Sequence, residues 1–212
     1  MWARDEEGEI QGFVVDTSSY GFSAPEIKKK LSLRASVTSD LILDDVEVPE
    51  ANRLPDGAGL RKPLECLNQA RYGIAWGAIG AAMTCYQWAV DYTAGRTQFG
   101  KPVASFQLVQ EKLADMLTEI TKGQLLAWRL GRIKDEGKLH FTQTSLAKRN
   151  NVRVGLDTAR TARDLMGANG ITLEYPVFRH MVNLESVYTY EGTDHMHTLI
   201  LGEEISGIAA YR

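Results

Sequence analysis

Three short segments set a charged residue beside glycine where a helix should break, and these are the places where the sequence could do chemistry. The first is Tyr190-Glu191-Gly192-Thr193-Asp194. A carboxylate directly before a glycine, at the mouth of a helix, is poorly suited to packing alone. Gly192 permits close backbone approach, and the unpaired amides of a helix start attract an anion such as phosphate. Held there in an apolar pocket, the Glu191 carboxylate suits a general base; on an open surface it would only complement the helix dipole. The second segment, Arg96-Thr97-Gln98-Phe99-Gly100, sets an arginine beside an aromatic residue and a glycine. That combination suits phosphate or pyrophosphate, or an ordinary ion pair in a surface turn. The third, Asp164-Leu165-Met166-Gly167-Ala168-Asn169-Gly170, is a glycine-containing loop after a helix. It lacks the Rossmann glycine spacing and a preceding strand, and by itself it reads as a helix C-cap.

Other residues weigh less. Asp194, His195 and His197 could be imagined as a metal cluster, but residues two apart on a helix point to different faces. Arg71 could hold a phosphate or pair with a carboxylate such as Glu65. Cys66 and Cys85 show no metal or redox spacing and read as buried free thiols of a reducing compartment. The net charge of −3 argues against a general attraction to nucleic acid or to anionic membrane. The longest apolar stretch, residues 73–83, is too short to cross a bilayer. Asp5, Glu6 and Glu7 follow Met1 too soon for a signal-peptide pattern. A soluble, intracellular protein is the expectation.

These segments need helices to position them. Residues 64–93 carry Gly73, Gly77, Gly80 and Ala81 on nearby turns, where small side chains let helices approach closely. Residues 106–135 repeat Val109, Leu113, Met116, Leu117 and Ile120 on one helical face, with Glu111, Asp115 and Glu119 on a solvated one. A third helix is expected over 139–166 and a fourth from Pro176 to about Tyr188. Thr193 has the character of an N-cap for a last helix reaching about Tyr211. Before residue 55 the texture is β: strands at 2–3 and 10–16 flank the turn Asp5-Glu6-Glu7-Gly8, and a second β region spans 35–48, with 20–25 as the loop between. The class is α+β and mainly α.

Leu33-Arg34-Ala35-Ser36, Cys66-Leu67-Asn68, Ala70-Arg71-Tyr72-Gly73-Ile74-Ala75-Trp76-Gly77, residues 112–121, Lys148-Arg149-Asn150-Asn151 and Thr189-Tyr190-Glu191-Gly192-Thr193 occur in this order. Together they resemble the later half of the acyl-CoA dehydrogenases, and most of all the glutaryl-CoA dehydrogenase branch. The resemblance implies part of a middle β domain over 1–57, followed by a C-terminal four-helix-type bundle over 58–212. It implies FAD as cofactor, an acyl-CoA substrate, an electron-transfer flavoprotein as acceptor and a homotetramer. The compartment would be the cytoplasm in a bacterium or the mitochondrial matrix in a eukaryote. Glu191 would remove the α-proton as hydride leaves the β-carbon. Its backbone amide would help polarise the thioester carbonyl. In the glutaryl-CoA branch, loss of carbon dioxide then gives crotonyl-CoA. By position, Arg96 and Gln107 would contact FAD, and Asp164, Leu165, Met166, Gly167 and Ala168 would meet its adenosine end. Thr193, Asp194 and His195 would lie along it. Leu64, Glu65, Cys66, Leu67, Asn68, Gln69, Ala70 and Arg71 would line the acyl-CoA channel, with Gly192 and Tyr211 near substrate.

Two departures from the family pattern raise structural questions. Ala168 stands where the family usually has a second glycine, and alanine there would be strained if φ were positive. Asp194-His195 reverses the usual His-Asp order of the branch, bringing a negative charge nearer the expected phosphates. The family segments that face the flavin ring precede the point where this sequence starts. The alternatives are therefore a non-catalytic assembly or binding domain, or a related short-chain acyl-CoA oxidase.

Overall fold

The computed structural model describes residues 1–55 and 59–210; the expected 57/58 boundary and Tyr211 lie outside the described residues. The chain divides into two compact units, Met1–Gln69 and Ala70–Arg212. In the first, β1 (Trp2–Arg4) and β2 (Ile10–Gly12) pair antiparallel, with Trp2 opposite Gly12 and Arg4 opposite Ile10. The turn between them forms as the sequence predicts. The Asp5 carboxylate accepts from the amides of Glu7 and Glu9 at 3.1 and 2.8 Å, and Gly8 takes a left-handed φ of +84°. The β region expected over 35–48 shrinks to β4 (Ile42–Leu43). Its partner is β3 (Phe22–Ser23), inside the segment read as a loop. Asp45, left-handed at φ +51°, ends the ladder, and Val37, Leu41 and Ile42 are exposed. Alternating apolar residues do not make a strand unless something covers them.

Helix α1 (Arg61–Gly95) begins in the first unit and continues into the second, which also holds α2 (Gln107–Asp135), α3 (Phe141–Leu165), α4 (Val177–Thr189) and α5 (Asp194–Ser206). Between α1 and α2 lies a tight hairpin, β5 (Thr97–Gln98) with β6 (Lys101–Pro102). It turns on Phe99 and Gly100, at φ +51° and +77°; two consecutive left-handed residues match the twist of such a turn. Helix α5 stops at Ser206 and not near 211, because Gly207, at φ +71°, closes it as a left-handed cap on the Glu203 carbonyl.

Helix α3 is the centre of the second unit. It packs on α2, α4 and α5 and buries a broad face that includes Ser145, Lys148, Asn151, Val152, Gly155 and Ala159, leaving Leu146, Asp157 and Arg160 exposed on the opposite side. The core is continuous from Cys85 and Ala89 on α1, through Met116 on α2 and Leu156 on α3, to Val177 and Leu184 on α4. The Asn151 side-chain amide donates to the carbonyls of Ala75 and Gly123 at 2.9 and 3.1 Å, tying α1 and α2 to α3.

The close helix approach does not use the α1 glycines: a Cβ at Gly73, Gly77 or Gly80 would meet nothing within 4 Å. It uses Gly123 and Gly155 instead. A Cβ at Gly155 would stand 2.9 Å from the Ala78 carbonyl oxygen, and one at Gly123 would stand 2.4 Å from Ile79 Cδ1. On α2 the buried stripe is Met116, Ile120, Gly123, Ala127 and Leu130; Leu117, one residue off that stripe, is exposed. Of the two thiols expected to be buried only Cys85 is, and burial pushes it up to about 12; Cys66 is exposed.

At the start of α5, His197 is fully buried, and its ring nitrogens have no hydrogen-bond partner among the described residues. Burial first, then the nearby Lys148 and Arg71 cations, lower its pKa from 6.5 to about 4. Asp194 and the neighbouring Gly192 backbone oppose this.

Urea denaturation of Gly155→Ala should show a loss of about 1–3 kcal/mol, the usual scale of overpacking against an unyielding neighbour. Gly80→Ala, with open space at its Cβ, should be neutral or gain up to about 1 kcal/mol from helix propensity. The pH dependence of stability should carry the mark of His197. Its folded pKa lies below its unfolded value, so the unfolded chain takes up the proton first. That contribution is complete above pH 6.5 and is lost as pH falls toward 4, with a slope of up to about 1.4 kcal/mol per pH unit for one proton. Unfolding curves between pH 7.5 and pH 5 should therefore flatten in His197→Gln.

Candidate active site

Helix α4 gives its last backbone bond at Tyr190, whose amide donates to the Ser186 carbonyl at 2.8 Å. The chain then passes through two left-handed residues, Glu191 at φ +57° and Gly192 at φ +94°. Thr193 caps α5 as the sequence predicts, its hydroxyl accepting from the Met196 amide at 3.2 Å. A left-handed glutamate costs about 1–2 kcal/mol and persists only where its surroundings hold it. Here the surroundings are two buried cations. Lys148 Nζ on α3 donates to the carbonyls of Tyr190 and Gly192 at 3.1 and 2.8 Å, and Arg71 Nε on α1 donates to the Glu191 carbonyl at 2.7 Å. Position 192 admits only glycine: besides its φ, a Cβ there would stand 3.2 Å from both Arg71 Nη2 and His197 Nε2.

On this hinge, Glu191 Oε2 is buried without a hydrogen-bond partner among the described residues. A carboxylate oxygen is rarely left so unless a ligand completes it. Its neighbours record its charge. Burial, then Arg71, lowers the Lys148 pKa to about 8, while Asp194 and Glu191 work against the shift. Burial and then Glu191 push the Tyr190 phenol upward. A mainly apolar cavity of about 150 Å³ opens beside the hinge, lined by Ile74, Ala81, Leu184, Val187 and Tyr190, with His180 and Asn183 as its polar members.

The second cluster gathers residues from the two remaining segments. Arg96 and Gln98 face Leu165, Met166, Gly167 and Ala168 across a cavity of about 350 Å³, whose wall is fixed by the Asn169 side chain donating to the Tyr92 hydroxyl at 2.9 Å. Gly167 is left-handed at φ +58° and Ala168 is not, so the alanine sits there without backbone strain. Gly170 is required for another reason: a Cβ there would lie 2.2 Å from the Arg163 carbonyl oxygen.

Several sequence-selected residues do not line either cavity. Asp164 pairs with Lys112 at 2.6 Å, and Gln107 is exposed at the start of α2. Asp194 is buried and bound by Arg153, with Nε to Oδ1 at 2.6 Å and a second bond from Nη2. Burial pushes its carboxyl up, but the bonds and charge of Arg153 outweigh this and hold it below the usual carboxylate range. The charge that the Asp-His order introduces is thus neutralised by α3. His195 is exposed and His197 buried, on different faces, and no metal-binding group of three exists among the described residues. Glu65 pairs with Arg61 and Lys62 and not with Arg71. Leu64, Glu65, Cys66 and Gln69 are exposed on the first turns of α1, and Leu67, Asn68 and Ala70 are half-buried.

Sequence reasoning missed the roles of Lys148, Asn151, Arg153 and His197. A signal for two of them existed: Lys148 and Asn151 sit at i and i+3 in line with Thr144, Val152 and Gly155, a buried helical face where a lysine must have a partner. The partner, more than forty residues away, carries no such mark.

The family model described as "Acyl-CoA dehydrogenase, C-terminal domain" matches residues 57–206. The glutaryl-CoA dehydrogenase structure from Mycobacterium smegmatis is 57% identical with a TM-score of 0.98, covering all of this chain and 55% of that one. A structure of a glutaryl-CoA dehydrogenase from the same organism in complex with FADH2 is 52% identical, with the same TM-score of 0.98 and the same coverage. The short-chain specific acyl-CoA dehydrogenase of Megasphaera elsdenii is 33% identical over 91% of this chain and 51% of its own length. The chain spans about half the length of the curated relatives it matches. The match over most of its length, on a fold shared helix for helix, means that the chain belongs to the acyl-CoA dehydrogenase family.

Proposed function

We propose that the protein carrying this sequence is an FAD-dependent acyl-CoA dehydrogenase acting on glutaryl-CoA, with Glu191 as its base. The observation that carries this reading is the buried Glu191 Oε2, without a hydrogen-bond partner among the described residues, on a left-handed hinge beside a mainly apolar cavity. The donor set suits the cofactor. Arg96 supplies a charged fork for a pyrophosphate, and the turn at Gly167 and Ala168 brings backbone to the same cavity. When bound, FAD supplies the acceptor for a hydride from the substrate β-carbon.

The chain's own residues do the rest. The Glu191 carboxylate takes the α-proton, so the α-carbon keeps the electron pair of its broken C–H bond. That pair forms the α,β double bond as the β-hydrogen departs with its own pair. The Glu191 amide, just past the last α4 bond, donates to the thioester oxygen, where charge grows as the α-proton leaves. With glutaryl-CoA, the distal carboxylate then leaves as carbon dioxide, and a proton replaces it on the γ-carbon to give crotonyl-CoA. The 57% and 52% identities to two glutaryl-CoA dehydrogenase structures from Mycobacterium smegmatis support this substrate.

In the complete flavoprotein, Glu191→Gln should slow flavin reduction by glutaryl-CoA at least ~100-fold, the scale of a positioned general base. FAD content and thioester affinity should persist. A surface helix-start glutamate would cost only a few tenths of a kcal/mol on the same substitution and leave the rate intact. Arg96→Ala should show the reverse pattern: lower FAD retention by absorbance after gel filtration, and a normal reduction rate in the molecules that remain loaded.

A further inference from the structure

We propose that Lys148, with Arg71, is a positioning residue for the reaction: it clamps successive backbone carbonyls of the 190–192 hinge and so aims the Glu191 carboxylate. This rests on Glu191 being the base. Three consecutive carbonyls, those of Tyr190, Glu191 and Gly192, each accept from a cation. Lys148 takes the first and third, and Arg71 takes the middle one. Lys148 is 1% exposed and Arg71 8%, so neither is a surface charge that happens to lie nearby.

Stability alone does not explain a lysine here. A buried ammonium is costly even when it is hydrogen-bonded, and an apolar side chain of similar volume packs as well or better. Among the described residues Lys148 directs its charge to two carbonyls and forms no ion pair. What these bonds fix is a backbone shape that the sequence does not favour by itself. The left-handed φ of Glu191 sets the direction of its Cβ, and so where the carboxylate points. The cations come from different helices, Arg71 from α1 and Lys148 from α3. The hinge is therefore registered to two rigid elements instead of hanging between α4 and α5. A base must be held within about half an ångström of its productive position, and a clamp on its own backbone and on both flanking carbonyls meets that need. Lys148 itself is too buried to touch substrate.

The test uses the complete flavoprotein with Lys148→Met, Lys148→Gln and Glu191→Gln, read by anaerobic stopped-flow reduction with glutaryl-CoA and with its α-deuterated form. Lys148→Met should keep its FAD and bind the thioester within about threefold of the parent. Its reduction should slow at least ~10-fold, since small misplacements of a reacting group are expensive in rate. Its α-deuterium isotope effect should rise, because proton abstraction becomes the slow event. Lys148→Gln, which retains a donor, should recover part of the rate. If Lys148→Met does not fold, Lys148→Gln carries the same reading: slower reduction with a raised isotope effect upholds the clamp, and parental values overturn it. A Lys148→Met rate within about twofold of the parent overturns it too. So does a rate lost only in proportion to lost FAD with an unchanged isotope effect, which is what a merely structural lysine would give. If Glu191→Gln itself reduces normally, the assignment of the base falls instead; if Glu191→Gln is dead while the Lys148 variants are normal, only the clamp falls.

Discussion

One side-chain amide joins the three longest helices of this chain. Asn151, fully buried, donates to the carbonyls of Ala75 and Gly123, and both acceptors are backbone groups in mid-helix, not frayed ends. Such a bond needs the helix axes to come close, and Gly123 and Gly155 allow it by placing no Cβ in the way. An unsatisfied buried amide is costly, so the arrangement holds only if α1, α2 and α3 keep this register. Arg71 and Lys148 each lie within one turn of the tie, on α1 and α3, and their reach to the hinge depends on it.

Around the hinge the electrostatics are one-sided. Lys148 and Arg71 are both cationic and buried, and together with burial they keep His197 neutral over the physiological range. Asp194, which acts on both Lys148 and His197, is bound to Arg153. The carboxylate left facing this positive pocket is Glu191. Its Oε2 has no hydrogen-bond partner among the described residues. The cleft by Arg96 is a separate cluster, assembled from the α1–α2 hairpin and the turn after α3.

Much of this was legible in the sequence. The period of apolar residues located the helices to within a few positions, Thr193 announced its cap, and Glu191-Gly192 marked the hinge. The β segments were misread in part, because alternation in 35–48 has the look of a strand and nothing in the sequence reports whether a second layer covers it. The α1 glycines misled for a similar reason. A small residue permits close approach but does not say that a neighbour is there, and the neighbours lie at Gly123 and Gly155. Lys148 and His197 stayed hidden because their meaning lies in pairs more than forty residues apart. The questions raised by Ala168 and by the Asp194-His195 order are settled only in three dimensions, by a backbone angle and by Arg153.

The unequal fates of the two thiols have a practical side. Cys66 and Cys85 are the only cysteines in the sequence. Burial keeps Cys85 protonated, with its thiol at about 12, and out of reach, whereas Cys66 is exposed on the first turns of α1. Thiol alkylation needs an accessible thiolate, so of these two thiols a maleimide fluorophore would attach at Cys66. The native chain therefore carries its own spectroscopic handle, on the stretch expected to border the acyl-CoA channel, where occupancy could be followed as a change in emission.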